Sequence, residues 1–211
     1  MDGTLAKSLP LMYRTYLDFL SGFGIEGTQR EFEELNGPSM LEITRILQER
    51  HRLPGSADDL LKRYLALIAD RYARLARPNE GARELLEWAR KAGLRMALVT
   101  SAYENIARGF LAANSLSDFF EAIVTGEDVA VSKPDPAIYL ATLRKLGVAA
   151  EEAVVVEDSI HGVASSMEAG IRTILMDPAG KWAGLAMPRL MGRVSRLDEA
   201  ISLIERSLDA Q

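Results

Sequence analysis

The chain has 211 residues, a formal net charge of −5, 48% apolar and 26% charged side chains, and no cysteine. At roughly 100–200 residues per domain it holds one large domain or two small ones, and its balance excludes a disordered chain, a collagen-like repeat and a disulfide-stapled miniprotein. It has no thiol nucleophile, no iron–sulfur cluster and no cysteine zinc site, and two histidines, His51 and His161, do not make a histidine-rich metal centre.

Acidic charge argues against nucleic acid and anionic membrane surfaces as partners. No apolar run approaches the ~20 residues that span a bilayer. Residues 1–11 lack a basic start followed by an apolar core, so no signal peptide is expected. These features describe a soluble cytoplasmic protein. The chain opens on Met1-Asp2-Gly3-Thr4-Leu5, which reads as the interior of a motif.

Residues 9–77 read as wholly helical. Leu11, Tyr13, Tyr16, Leu17 and Leu20 recur at three- and four-residue spacing until Gly22 and Gly24 interrupt them. A second helix is predicted from Thr28 to Asn36-Gly37-Pro38, a third from Met40 to Arg50, and a fourth from an N-cap at Ser56 through Leu75. The Tyr and Leu stripes read as core, and Arg71, Arg74 and Arg77 as a solvated face. His51 is expected at the surface.

After Pro78 the texture alternates. A helix over Glu80–Ala92 stops at Gly93 and a strand follows at Leu94–Val99. Ser101 with Glu104 has the capping-box pattern for a helix ending near Asn114. Then come a strand at Ala122–Thr125, a helix at Pro136–Leu146 closed by Gly147, and a β-branched strand at Ala153–Val156. A helix at Ile160–Ala169, a strand at Ile171–Met176 and a last helix at Leu197–Leu208 complete the chain; Arg193-Val194-Ser195 offers one further short strand. Strands alternating with helices predict an α/β domain with a parallel sheet, preceded by a four-helix insert.

In such sheets polar chemistry gathers at the carboxyl ends of strands. Thr100-Ser101 follow the strand ending at Val99. Ser132-Lys133-Pro134-Asp135-Pro136 follow the next, and Glu157-Asp158-Ser159 follow Val156. Asp158 and Glu157 are hard oxygen ligands suited to Mg²⁺. Lys133 and Thr100 offer a positive charge and a hydroxyl to phosphate oxygens, and the helix opening at Ser101 adds backbone N–H groups. Each has a plainer use as well: Thr100, Glu157 and Asp158 as helix caps, Lys133 as a solvated loop residue.

Four ordered segments, Asp2-Gly3-Thr4-Leu5, Leu98-Val99-Thr100-Ser101, Ser132-Lys133-Pro134-Asp135-Pro136 and Val156-Glu157-Asp158-Ser159-Ile160-His161-Gly162-Val163, together resemble the haloacid dehalogenase-like hydrolase superfamily. The likeness is to the helical-cap branch that includes beta-phosphoglucomutase and phosphoglycolate phosphatase, and it covers nearly the whole chain. It implies a Rossmann-like parallel-sheet core over residues 1–8 and 78–211, with an all-helical cap inserted over 9–77. It implies a Mg²⁺-dependent phosphatase of a small phosphorylated metabolite, acting through an aspartyl-phosphate, as a monomer or homodimer. Carried over by position, Asp2 matches the general acid/base, whose backbone carbonyl also meets the metal. Thr100 matches the phosphoryl-binding hydroxyl, with Ser101 beside it, and Lys133 the phosphate-neutralising lysine. Asp158 matches the principal metal ligand, with Glu157 adjacent. Asn36, Gly37 and Ser39 fall where a cap loop selects substrate.

The departures are as informative. The nucleophilic aspartate of the family lies two residues before the match to Asp2, where this sequence has only Met1 between, and the first strand is missing too. Without a nucleophile there is no covalent catalysis, so these residues alone are expected to show little turnover. The other motifs are intact, which favours a start set inside the motif over a catalytically silent binding protein of the same fold. Lys7-Ser8 replaces an acidic residue common before that serine, and Met12 stands where sugar-phosphate mutases carry a histidine, which disfavours a mutase.

Overall fold

The computed structural model describes residues 1–35, 39–184 and 186–208. The chain divides into two compact units, one of Ser8–Ala76 and one of Met1–Lys7 with Arg77–Gln211.

The smaller unit contains helices α1 (Leu9–Ser21), α2 (Gln29–Glu34), α3 (Met40–His51) and α4 (Ala57–Leu75). Their starts follow local chemistry: Thr28, Ser39 and Ser56 each accept the backbone N–H three residues on, at Glu31, Glu42 and Asp59. Of the stripes read from sequence, Leu11, Tyr16, Leu20, Leu60, Tyr64 and Ile68 are buried in the core together with Phe19 and Tyr72, whereas Tyr13 and Leu17 are half-buried and Leu75 is exposed. Phe19 stacks on Tyr64, with ring centroids 4.5 Å apart.

His51 departs from its expected surface position. Its Nε2 lies 2.8 Å from Glu31 Oε1, and Arg50 donates to the same oxygen at 3.0 Å. The Tyr16 hydroxyl donates to Glu31 Oε2 and accepts from Thr28 N at 3.1 Å. Burial pushes the Glu31 carboxyl up, but Tyr16, His51 and Arg50 outweigh it and hold it below the ordinary carboxylate range. Arg71, read as solvated, pairs with Asp18.

Among the described residues the larger unit carries five strands: β1 (Ala97–Val99), β2 (Ala122–Val124), β3 (Val154–Glu157), β4 (Arg172–Met176) and β5 (Leu190–Val194). They form two sheets, β1-β2 and β3-β4-β5, and every pairing is parallel. α5 (Ala82–Lys91) precedes β1, α6 (Glu104–Ala113), α7 (Ala137–Leu146) and α8 (Ile160–Glu168) run between successive strands from β1 to β4, and α9 (Ala200–Leu208) follows β5. Glycines at 93, 147 and 170 follow α5, α7 and α8 with positive φ, as their positions predicted. Val124, Ile138, Tyr139, Leu143, Ala169 and Ile171 form a buried cluster that packs α7 against the strands.

Three elements differ from the sequence reading. β1 is half the expected length, and among the described strands it pairs with β2 alone. The strand at Arg193-Val194 is longer than expected and lies beyond β4. The Ser101–Glu104 capping box does not form: α6 starts at Glu104, and the Glu104 N–H is taken by Glu127 Oε2 at 2.7 Å. No helix among the described residues is long and apolar enough to cross a membrane.

Glu31 collects three donors in a buried position, so Glu31→Gln is expected to cost about 2 kcal/mol in urea unfolding at pH 7. The depressed carboxyl contributes stability above its unfolded value of 4.5 and loses it as pH falls. The gap between the native protein and E31Q therefore narrows in acid; a gap that stays constant from pH 7 to pH 4 contradicts this account.

Candidate active site

The first seven residues build one wall of the site. Leu5 and Ala6 donate their N–H groups to the Met1 carbonyl at 2.8 and 2.9 Å, making a tight turn around Gly3. Asn79 holds that turn: its side-chain amide donates to Gly3 O at 2.8 Å and Thr4 O at 2.6 Å, and its backbone N–H donates to Leu5 O at 2.8 Å. Thr4 Oγ1 then donates to Asp158 Oδ1 at 2.7 Å, tying the turn to the carboxyl end of β3. Gly3 has φ +67, and a Cβ there would fall 1.9 Å from Asp158 Oδ2. Only glycine permits both the backbone and this approach.

A second cluster lies one residue back along β3. Lys133 pairs with Glu157, and both side chains are about nine-tenths buried. Tyr139, on α7, receives a hydrogen bond from Lys133 Nζ at 3.2 Å and donates to Glu157 Oε1 at 3.0 Å. The other Glu157 oxygen accepts from Asp158 N, Ser159 N and Ser159 Oγ at 3.0–3.2 Å. Gly162 completes the cradle, because a Cβ there would meet the Glu157 carboxyl at 2.1 Å.

The two adjacent acids therefore sit in opposite electrostatic states. Burial raises Glu157, but the Lys133 charge and the hydrogen bonds from Lys133 and Ser159 overcome it and hold the carboxyl at about 2. Burial and the neighbouring Glu157 charge push Asp158 up to about 6, against the pull of the Thr4 hydrogen bond. Tyr139 is driven well above its ordinary value by burial and by Glu157.

At the end of β1, Thr100 is buried, donates its N–H to Val124 O at 3.0 Å and accepts from Ala102 N at 3.1 Å. It therefore closes a local turn and does not cap α6, whose N-cap is Tyr103. Ser101 is exposed. Gly126, after β2, packs on it so closely that a Cβ would lie 2.9 Å from Ser101 O.

The structure thus joins Thr4 to Asp158 and Lys133 to Glu157, and half-buries Asp2 in the turn between Met1 and Ala6. It does not gather Asp2, Glu157 and Asp158 into one ligand set. Among the described residues no group of three His, Asp or Glu side chains could hold a metal, and Glu157 is turned to Lys133 instead. Ser39 exchanges a capping box with Glu42 at the start of α3, while Asn36 and Gly37 lie outside the described residues. Asn79, Tyr139 and Gly162 were not singled out from sequence. A turn asparagine, a helix tyrosine and a helix glycine carry no local signal until the strand ends bring their partners to them.

The sequence profile of the haloacid dehalogenase-like hydrolases matches residues 1–176. A "phosphorylated carbohydrates phosphatase" of Thermotoga maritima is 33% identical over 174 residues, covering 82% of this chain and 81% of its own. Hexitol phosphatase B of Escherichia coli K12 is 28% identical over 178 residues, covering 83% and 80%. Among solved structures, a mutant of CbbY from Rhodobacter sphaeroides in complex with xylulose-(1,5)bisphosphate is 25% identical, with a TM-score of 0.81 over 94% of this chain and 92% of that one.

Removing the lysine strands a buried carboxylate. Lys133→Met is expected to cost about 3–5 kcal/mol in urea unfolding at pH 7. The Glu157 contribution is present above its unfolded value of 4.5 and is lost as pH falls toward about 2. The cost of the substitution should therefore shrink when unfolding is repeated at pH 4, where the unpaired Glu157 takes up a proton. An equal cost at both pH values would overturn the assignment.

Proposed function

This chain belongs to the haloacid dehalogenase-like hydrolases, and on that footing we propose that it is built as a Mg²⁺-dependent phosphatase of a small phosphorylated carbohydrate or related metabolite. The observation that carries the reading is the strand-end cluster: a buried lysine locked by Glu157 and Tyr139, next to an Asp158 carboxylate that burial leaves short of stabilisation. The phosphatase relatives support the reaction class.

Mg²⁺ is commonly held by one or two carboxylates with waters and substrate phosphate completing its shell, so it needs no three-carboxylate cage. Asp158 fits as the carboxylate: it is largely buried, its Oδ2 faces the gap that Gly3 keeps open, and it gains from a neighbouring positive charge. The Asp2 backbone carbonyl is the second donor in this reading. The ion supplies charge neutralisation for the phosphoryl oxygens.

The chain's own residues divide the remaining work. Lys133 holds a fixed positive charge against the transferring phosphoryl, and Glu157 and Tyr139 aim it. Thr100 and Ser101 present hydroxyl and backbone donors to the same oxygens. Asp2 protonates the leaving oxygen and then accepts a proton from the attacking water. The attacking carboxylate of an aspartyl-phosphate route belongs immediately before Met1, so these 211 residues alone turn over little. The smaller unit serves as the cap domain, with Asn36, Gly37 and Ser39 bearing on substrate choice. We read the protein as a cytoplasmic monomer or homodimer without nucleic-acid or membrane partners, consistent with its charge of −5.

Phosphate release from a panel of sugar phosphates tests the reading. The chain preceded by an apolar lead ending in aspartate should release phosphate only with Mg²⁺, and the 211-residue chain should be slower by at least ~10³-fold. No release by either chain on any substrate would defeat it. In calorimetry, Asp158→Asn should weaken Mg²⁺ binding at least ~10-fold, because it removes a charge from a hard-oxygen site; unchanged affinity would remove Asp158 from the metal.

A further inference from the structure

Residues 77–79 run back along residues 5–7. Lys7 N donates to Arg77 O at 2.9 Å, Ala6 and Pro78 form an antiparallel bridge, and Asn79 N donates to Leu5 O at 2.8 Å. The Asn79 side chain extends this pairing: its Nδ2 donates to Gly3 O at 2.8 Å and to Thr4 O at 2.6 Å. Three consecutive carbonyls, of Gly3, Thr4 and Leu5, thus end on one residue. An amide nitrogen carries two hydrogens, and both are engaged. Leucine has similar bulk and offers no donor.

The segment behind Asn79 is firmly held. Its carbonyl accepts from Ala82 N at 3.1 Å in the turn that opens α5, whose Ala82, Leu86 and Ala89 are buried. Leu197 N donates to Glu80 O at 3.0 Å, and Gly81 lies so near Asp198 that a Cβ would fall 2.1 Å from its Oδ1. The turn in front of Asn79 bears two groups of the site. Asp2 lies between Met1, whose carbonyl takes the Leu5 and Ala6 N–H groups, and Gly3, whose carbonyl Asn79 takes. Thr4 Oγ1 donates to Asp158 Oδ1, which fixes the rotation of that carboxylate and leaves Oδ2 against Gly3. A shift of the Gly3 and Thr4 carbonyls therefore moves the Asp2 main chain and turns the Asp158 carboxylate together.

We propose that Asn79 is a positioning residue of the phosphoryl-transfer site, holding the Gly3–Thr4 turn so that the Asp158 carboxylate and the Asp2 carbonyl meet the same cation. It touches neither ion nor substrate and acts through the turn. Partners that orient a metal ligand from behind commonly govern affinity by about 10–100-fold. The proposal rests on the reading of Asp158 and Asp2 as Mg²⁺ donors. An asparagine that only stabilised the fold would leave the affinity of the folded chain for the ion unchanged.

Calorimetric titration of Mg²⁺ into the 211-residue chain, below every variant's thermal midpoint, tests it. Asn79→Leu and the smaller Asn79→Ser should each weaken Mg²⁺ at least ~10-fold. Both should speed amide exchange at Leu5 and Ala6 at least ~10-fold. Phe110→Leu, in the buried face of α6, lowers the midpoint away from the turn and should leave Mg²⁺ affinity within about 2-fold of the native chain. With Thr4→Val added to either Asn79 variant, the losses should not multiply: the double variant should bind at least ~3-fold tighter than their product requires. Full affinity in both Asn79 variants overturns the proposal. So do an equal loss in Phe110→Leu and losses with Thr4→Val that multiply. A native chain that binds no Mg²⁺ defeats the metal reading itself and the proposal with it, whereas a native chain that binds the ion beside Asn79 variants that bind it equally well defeats the proposal alone.

Discussion

A buried ammonium and a buried carboxylate are each expensive to desolvate, and their pairing offsets that cost only when the remaining polar atoms are satisfied. Lys133 and Glu157 meet this condition through Tyr139, the amides of Asp158 and Ser159, and the Ser159 hydroxyl. Four parts of the larger unit converge on that pair: the 132–136 loop, α7, β3 and the first turn of α8. Moving any one of them leaves a charge without its partner. The same pair sets the state of Asp158, because the Glu157 charge one residue away helps to hold its neighbour's carboxyl up.

This division of labour explains a feature of the acidic pair that its sequence conceals. Side by side, Glu157 and Asp158 read as two equivalent ligands. β3 turns them to different surroundings, since consecutive residues leave a strand on opposite sides. Glu157 becomes the support of the lysine, and Asp158 faces the Gly3–Thr4 turn. Function in this reading falls to the carboxylate that burial penalises, and stability to the one that its partners reward.

Much of the architecture was legible because it is written in local chemistry. Ser56 and Thr28 announce helix starts, Gly93, Gly147 and Gly170 announce helix ends, and the β-branched run before Glu157 announces a strand. Thr100, Lys133, Glu157 and Asp158 were legible as a group because strand ends in a parallel sheet share an edge. What stayed hidden depends on long-range contact. Asn79 is a turn residue until Gly3 and Thr4 come to it from 76 and 75 residues away. His51 looks solvent-facing until α2 brings Glu31 against it. The Ser101–Glu104 pattern misled for the same reason: a distant acid, Glu127, caps the helix that the local pair was expected to cap.

The chain leaves the larger unit after Lys7 and returns to it at Arg77, and the Lys7 N–H donates to the Arg77 carbonyl at 2.9 Å. The two crossings are thus fastened side by side, within the unit that they leave. Chain-closure entropy rises only slowly with loop length, so exchanging Ser8–Ala76 for a short turn would alter it by about 2–3 kcal/mol. For the larger unit the insert is therefore nearly a free variable. Those residues can be lengthened, shortened or replaced while the strand-end cluster of the larger unit keeps its geometry.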